Sequence, residues 1–140
     1  MKRSLLIFTF LFYAAFFNIS AQHNFIGRNK DEIAGIMKES YNNFKLNKDV
    51  INRTYKYLKY EDKISEQTVL FFLSDGDKCT LVRWMSDYSN INEMIASLDK
   101  NYHKTGKKSW EYTDQGKEYS VVLEDGEWFF TVTFKLKTNK

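Results

Sequence analysis

The chain has 140 residues, with 21 Lys and Arg against 18 Asp and Glu, two histidines, one cysteine and no proline. One cysteine excludes an internal disulfide and the paired-cysteine zinc motifs, and two histidines without a motif around them leave no nucleophilic triad or metal cluster in view. A formal charge of +3 is too small for the one-sided field of a nucleic-acid binder.

At the start, Lys2 and Arg3 precede an uncharged run over 5–17, which Asn18 and Ser20 interrupt. A membrane-crossing helix needs roughly 20 apolar residues. This run has 13, so it reads as the core of a signal peptide over 1–21 with cleavage after Ala21, cleavage after Ser20 being the alternative. The expected mature chain, 22–140, is one domain of 119 residues carrying 19 basic and 18 acidic side chains. It is expected in the periplasm or outside the cell, with no membrane span once the signal is removed. Such a chain buries roughly two-thirds of its unfolded surface, and its 18 aromatic residues supply the core.

Two segments have helical period and the same opening. Asn29 and Glu32 have the spacing of a capping box, after which Ile33, Ile36, Met37, Tyr41 and Phe44 share one face. Asn90 and Glu93 repeat the spacing ahead of Ile91, Met94, Ile95, Leu98 and Tyr102. Elsewhere the period is two, which predicts strands over 53–60, 68–73, 79–85, 110–112, 119–124 and 128–136. Asp75-Gly76, Gln115-Gly116 and Asp125-Gly126 mark turns, glycine accepting positive φ without steric cost. In the last strand Trp128, Phe130, Val132, Phe134 and Leu136 are expected to face the core. Residues 69–73 are apolar at every position, as in a central strand. The expected fold class is α+β, a tandem α-β-β-β repeat with two helices packed on antiparallel sheet.

Several residues invite chemistry that their context does not support. His103, after Tyr102, suits the negative end of a helix, and His23 lies near the expected mature N-terminus. Cys79 reads as a small buried hydrophobe. Asp75, Gly76 and Asp77 lack the downstream glutamate of a calcium loop and read as a tight turn. Neither a cofactor nor a metal is expected.

The strand over 53–60 alternates Tyr55, Tyr57 and Lys59 with Lys56, Leu58 and Tyr60. Tyrosines offer stacking area and a hydroxyl, so Tyr55, Tyr57 and Lys59 are candidate binding residues. Lysines guarding a sheet edge are the simpler account of the same pattern. Adjacent Arg83 and Trp84 must face opposite sides of their strand, leaving one for contact, and Phe129 interrupts a Thr-Thr-Lys face.

Through Phe25-Ile26-Gly27 ahead of Asp31-Glu32-Ile33, Asp77-Lys78-Cys79, Trp110-Glu111-Tyr112 and the Ala21-Gln22 junction, the chain resembles small exported proteins of Bacteroidota-type bacteria. Its repeated helix-then-strand order is similar to that of β-lactamase-inhibitor proteins and small outer-membrane-assembly lipoproteins, which implies a sheet that presents a protein-binding surface. No cysteine near residue 21 is available to carry a lipid.

The expected function is a non-enzymatic binding or interaction module whose partner is a protein, peptide or glycan of the cell envelope. The alternatives are a structural partner in envelope assembly and a carboxylate-based hydrolase acting on glycans. The hydrolase would need two carboxyls roughly 5 to 9.5 Å apart in one concave site.

Overall fold

A computed structural model describes residues 24–47 and 54–138; the expected signal peptide, its cleavage junction and Arg53 lie outside them. The first helix, α1 (Lys30–Ser40), begins with the expected capping box. The Glu32 N–H donates to Asn29 Oδ1 at 2.9 Å, and the Asn29 N–H donates back to the Glu32 carboxylate at 2.8 Å. That returning bond holds the Glu32 carboxyl below its ordinary range. Ile33 and Met37 are buried, with Ile36, Tyr41 and Phe44 partly buried around them.

The second helix, α2 (Ile91–Asn101), does not start as its sequence suggests. A short 3₁₀ turn over Tyr88–Asn90 precedes it, and Asp87 caps that turn by accepting the Ser89 N–H at 2.8 Å. Asn90 already has helical backbone angles, so it makes no side-chain cap. Its amide instead donates to the Ser65 carbonyl and the Ser86 hydroxyl, both at 3.0 Å.

Eight strands form one antiparallel sheet: β1 (Lys45–Leu46), β2 (Tyr57–Asp62), β3 (Gln67–Leu73), β4 (Cys79–Asp87), β5 (His103–Gly106), β6 (Ser109–Asp114), β7 (Lys117–Asp125) and β8 (Phe129–Leu136). Their order is β1-β2-β3-β4-β8-β7-β6-β5. With the two helices on one face, the fold class is α+β as expected. Each half, however, is a helix followed by four strands, where three were predicted. The additional strands, β1 and β5, form the two sheet edges. Both consist of exposed residues, so no buried-face periodicity betrays them.

The halves meet at a symmetric seam. Val82 faces Phe134, Arg83 faces Thr133 and Trp84 faces Val132. Val132, Thr133 and Phe134 lie 50 positions after Val82, Arg83 and Trp84, so each half offers the other the same three positions in reverse order.

Turn chemistry differs in detail from the reading of the glycines. The predicted turns form, but in the β3–β4 turn positive φ belongs to Asp77, at 58°, and neither Gly76 nor Gly126 adopts it. Gly126 is required by space, because a Cβ there would stand 2.4 Å from the Phe129 carbonyl oxygen. Gln115 and Gly116, with φ of 49° and 76°, form the paired left-handed turn that suits a two-residue hairpin.

Inward side chains alternate along every long strand. Val69, Phe71 and Leu73 of β3, Val82 and Trp84 of β4, Val121 and Leu123 of β7, and Phe130, Val132 and Phe134 of β8 pack with Ile33, Met37 and Leu98 in one core. Phe71 touches the rings of Phe25 and Tyr60 at 4.8 and 5.7 Å. Trp128 and Leu136, expected in this core, are exposed. The β4 ladder stops at Asp87 opposite Phe129, so Trp128 lies past the paired strands and is left exposed among the described residues. Cys79 is buried as expected, and desolvation pushes its thiol up to about 12.

Candidate functional site

Because both helices dock on one side, the alternate side chains of the same strands form a second face with no helix over it among the described residues. The ladder pairings place them in rows. One row runs Tyr57, Phe72, Leu81, Lys135, Ser120 and Glu111 across β2, β3, β4, β8, β7 and β6. The next runs Lys59, Leu70, Arg83, Thr133, Val122 and Ser109. A third begins with Glu61, Thr68, Met85 and Thr131, with Phe129 beyond it opposite Asp87.

Aromatic and cationic groups meet near the centre of this face. The Tyr57 and Phe72 rings lie 5.8 Å apart, and the Arg83 guanidinium sits 5.7 Å above the Phe72 ring. Lys135 is diagonal to Arg83 across the seam, beside a hollow of about 510 Å³ whose walls include Thr80, Leu81 and Ser120. Neither Arg83 nor Lys135 has a carboxylate partner among the described residues.

Charges at the flanks are paired. On β2, Lys59 Nζ lies 2.8 Å from Glu61, and its hydrogen bond holds the Glu61 carboxyl below its ordinary range. On the other flank Lys137 bridges Glu111 at 2.9 Å and Glu118 at 3.6 Å, which raises the pKa of its ammonium, the Glu111 hydrogen bond acting most. Glu124 is exposed at one end of β7 and pairs across the ladder with Thr131. The centre is therefore cationic and apolar, with paired charges at the β2 and Lys137 flanks and the Glu124 carboxylate at one end.

No family model, curated protein or solved structure matches this chain.

Of the six residues singled out from sequence, Tyr57, Lys59, Arg83 and Phe129 lie on the uncovered face, with Phe129 44 % exposed. Tyr55 is 63 % exposed but precedes β2 and has no ladder partner. Trp84 faces the helices: it is 7 % exposed, and its indole N–H donates to Gln67 Oε1 at 2.7 Å. It is thus absent from the aromatic sheet surface, because its packing against Tyr41 and Phe44 commits this register of β4 to the core. The predicted segment 53–60 also shifts, since the strand runs Tyr57–Asp62 and buries Tyr60.

Leu70, Phe72, Leu81, Met85, Thr133 and Lys135 complete the face and were not singled out from sequence. One signal could have found two of them: apolar residues on both faces of 69–73 place Leu70 and Phe72 opposite the core side of Val69 and Phe71.

Among the described residues no group of three or more His, Cys, Asp or Glu is placed to hold a metal ion. Glu61 and Asp62 are the carboxyl pair beside a hollow of about 600 Å³ next to β1. They point to opposite sides of β2, and both are committed. Asp62 accepts hydrogen bonds from the Ser65 hydroxyl and from the Ile64 and Ser65 N–H groups, which hold its pKa down. A glycan-cleaving acid needs a carboxyl whose pKa is raised, the reverse of both.

Proposed function

We propose that this domain is a non-enzymatic, exported interaction module whose uncovered sheet face docks a protein carrying acidic side chains among apolar ones. The observation behind this reading is the juxtaposition of Arg83 and Lys135, without carboxylate partners among the described residues, with the half-buried Phe72, Leu70, Leu81 and Met85.

Size supports it. Six long strands spaced about 4.8 Å apart and roughly 20 Å long present an area of about 600 Å². A standard interface covers about 800 Å² on each partner, so one face suffices for a modest, reversible complex. Charge complementarity would set orientation and association rate, while Phe72 and its apolar neighbours would supply the desolvated centre. The resemblance to proteins whose sheets present binding surfaces agrees with this. No helix among the described residues is long and apolar enough to cross a membrane.

The test uses a photo-crosslinking side chain at Thr133, in the middle of the face, and at exposed Lys100 on α2 as the comparison. In the native envelope fraction the Thr133 probe should give one discrete protein adduct that R83E/K135E abolishes. Absence of an adduct, or the same adduct from Lys100, refutes the proposal.

A further inference from the structure

The β4–β8 seam brings turns from both halves to one end of the sheet. The ladder row Asp62, Gln67, Ser86, Phe130 and Asp125 is the last there to cross five strands. Past it lie the β2–β3 turn over 63–66, the 3₁₀ turn over Tyr88–Asn90 and the β7–β8 turn over 126–128. The outer two turns carry the most exposed large hydrophobic side chains among the described residues, Ile64 at 96 % and Trp128 at 77 %. Between two and three strand spacings separate them, roughly 10–14 Å. A single small ligand would not bridge them, whereas a broad surface meets both.

Both turns are tied down. Asp62 accepts the Ile64 and Ser65 N–H groups at 3.0 and 3.3 Å, and the Asn90 amide holds the Ser65 carbonyl at 3.0 Å. The Tyr88 hydroxyl donates to the Gly126 carbonyl at 2.7 Å, and the Gly126 N–H donates to the Phe129 carbonyl at 3.0 Å. Contact at these tips therefore orders little that is not already fixed. Polar residues suit exposed turns equally well, so folding does not account for Ile64 and Trp128.

A protein interface gathers its apolar groups into one contiguous, close-packed centre. Here Asp87 and the 3₁₀ turn stand between two separate tips. A bilayer suits that shape, because its headgroup boundary takes in isolated apolar side chains without a matching pocket, and an indole with its one N–H favours that depth. Beside the tips, Glu66, Asp87, Glu124 and Glu127 outnumber Lys63 and Lys107, while Lys108 pairs with Asp125. Attraction to anionic headgroups is therefore not the driving force. We infer that this end of the sheet docks reversibly on a zwitterionic lipid surface, with Ile64 and Trp128 seated at its headgroup boundary. The inference is separate from the reading of the uncovered face.

The experiment mixes the chain, as the cell exports it, with phosphatidylcholine vesicles and follows tryptophan emission. Trp84 and Trp110 are buried, so a lipid-dependent change reports Trp128. Emission should shift to the blue saturably, half-complete at about millimolar lipid, weaker than the roughly 0.1 mM typical of a single myristoyl chain. Lipid brominated on the upper acyl carbons should quench it. I64S should raise the lipid needed about tenfold, and W128S should do the same in vesicle sedimentation. Because both positions are exposed, both variants should keep the wild-type thermal midpoint. R83E/K135E should bind vesicles as wild type does, so this result and the crosslinking result stand or fall apart. No shift or quenching up to about 10 mM lipid overturns the inference. So does a shift that needs anionic lipid and vanishes in high salt. Binding to envelope fragments but not to protein-free vesicles of their lipids overturns it in favour of a protein partner. A blue shift on concentrating the protein without lipid overturns it in favour of a second copy.

Discussion

Neighbouring phenylalanines on β3 provide the sharpest test of which sheet face is which. Phe71 is fully buried against Phe25 and Tyr60, whereas Phe72 stands on the uncovered side against Tyr57 and beneath Arg83. Phe71→Ala removes a packed ring and leaves a cavity, a loss of about 3–5 kcal/mol. Folding of a domain like this is worth roughly 5–15 kcal/mol in all, so that variant is marginal. At about 4 °C per kcal/mol, its thermal midpoint should fall by about 12–20 °C. Phe72→Ala forfeits one ring contact and one exposed cation–π contact, together about 1–2.5 kcal/mol and about 4–10 °C. Circular dichroism melts and urea titrations of both variants supply the comparison. Equal losses would mean that the supposedly uncovered face is packed against something, and a larger loss for Phe72 would invert the strand register.

Further expectations concern caps, turns and titrating groups. Asn29→Ala should lower stability by about 1 kcal/mol in a urea titration, through loss of the α1 cap. Gly116→Ala should cost about 1–2 kcal/mol by the same measurement, a backbone penalty alone; a Cβ there meets nothing within 4 Å. Asp62 has a lower carboxyl pKa folded than unfolded, chiefly through the Ser65 hydroxyl, so its ionised form stabilises the fold above the unfolded pKa and ceases to as pH falls through the folded one. Melts of wild type and Asp62→Asn should therefore differ fully above about pH 4 and converge at lower pH; a constant gap contradicts the assignment. With its thiol near 12, Cys79 should react with a disulfide reagent at pH 8 about a thousandfold more slowly folded than in urea. Rapid labelling of the folded protein would show that its burial is wrong.

Local chemistry was the legible part of this fold. The Asn29–Glu32 box, the stripe from Ile33 to Phe44 and the alternation of Phe130, Val132 and Phe134 are each written within a few residues. What depends on distant partners was not. Asn90 had the spacing of a cap, but Asp87 competes for the role three residues earlier. Adjacency placed Arg83 and Trp84 on opposite faces without saying which was inward, because pairing with β8 and packing under Tyr41 and Phe44 decide that. Alternation also carried Trp128 and Leu136 into the core, since a period does not reveal where the neighbouring strand ends. The uncovered face was half visible for a related reason: Tyr57 and Lys59 stand out along the chain, whereas Leu70, Leu81 and Lys135 acquire meaning only as a row across four strands.

The β4–β8 seam also governs how the chain reaches its native state. Of the seven strand pairings, six join strands consecutive in sequence, while this one must bring together segments separated by the 41 residues from Tyr88 to Trp128. Sequence-local hairpins close quickly, and the long closure is the slow step. Substitutions at Val82 or Val132 should therefore slow folding more than equally destabilising ones at the tips of the two meanders. A chain that opens only there also exposes two unpaired edges of matching pattern, able to close on a second copy of itself at high concentration.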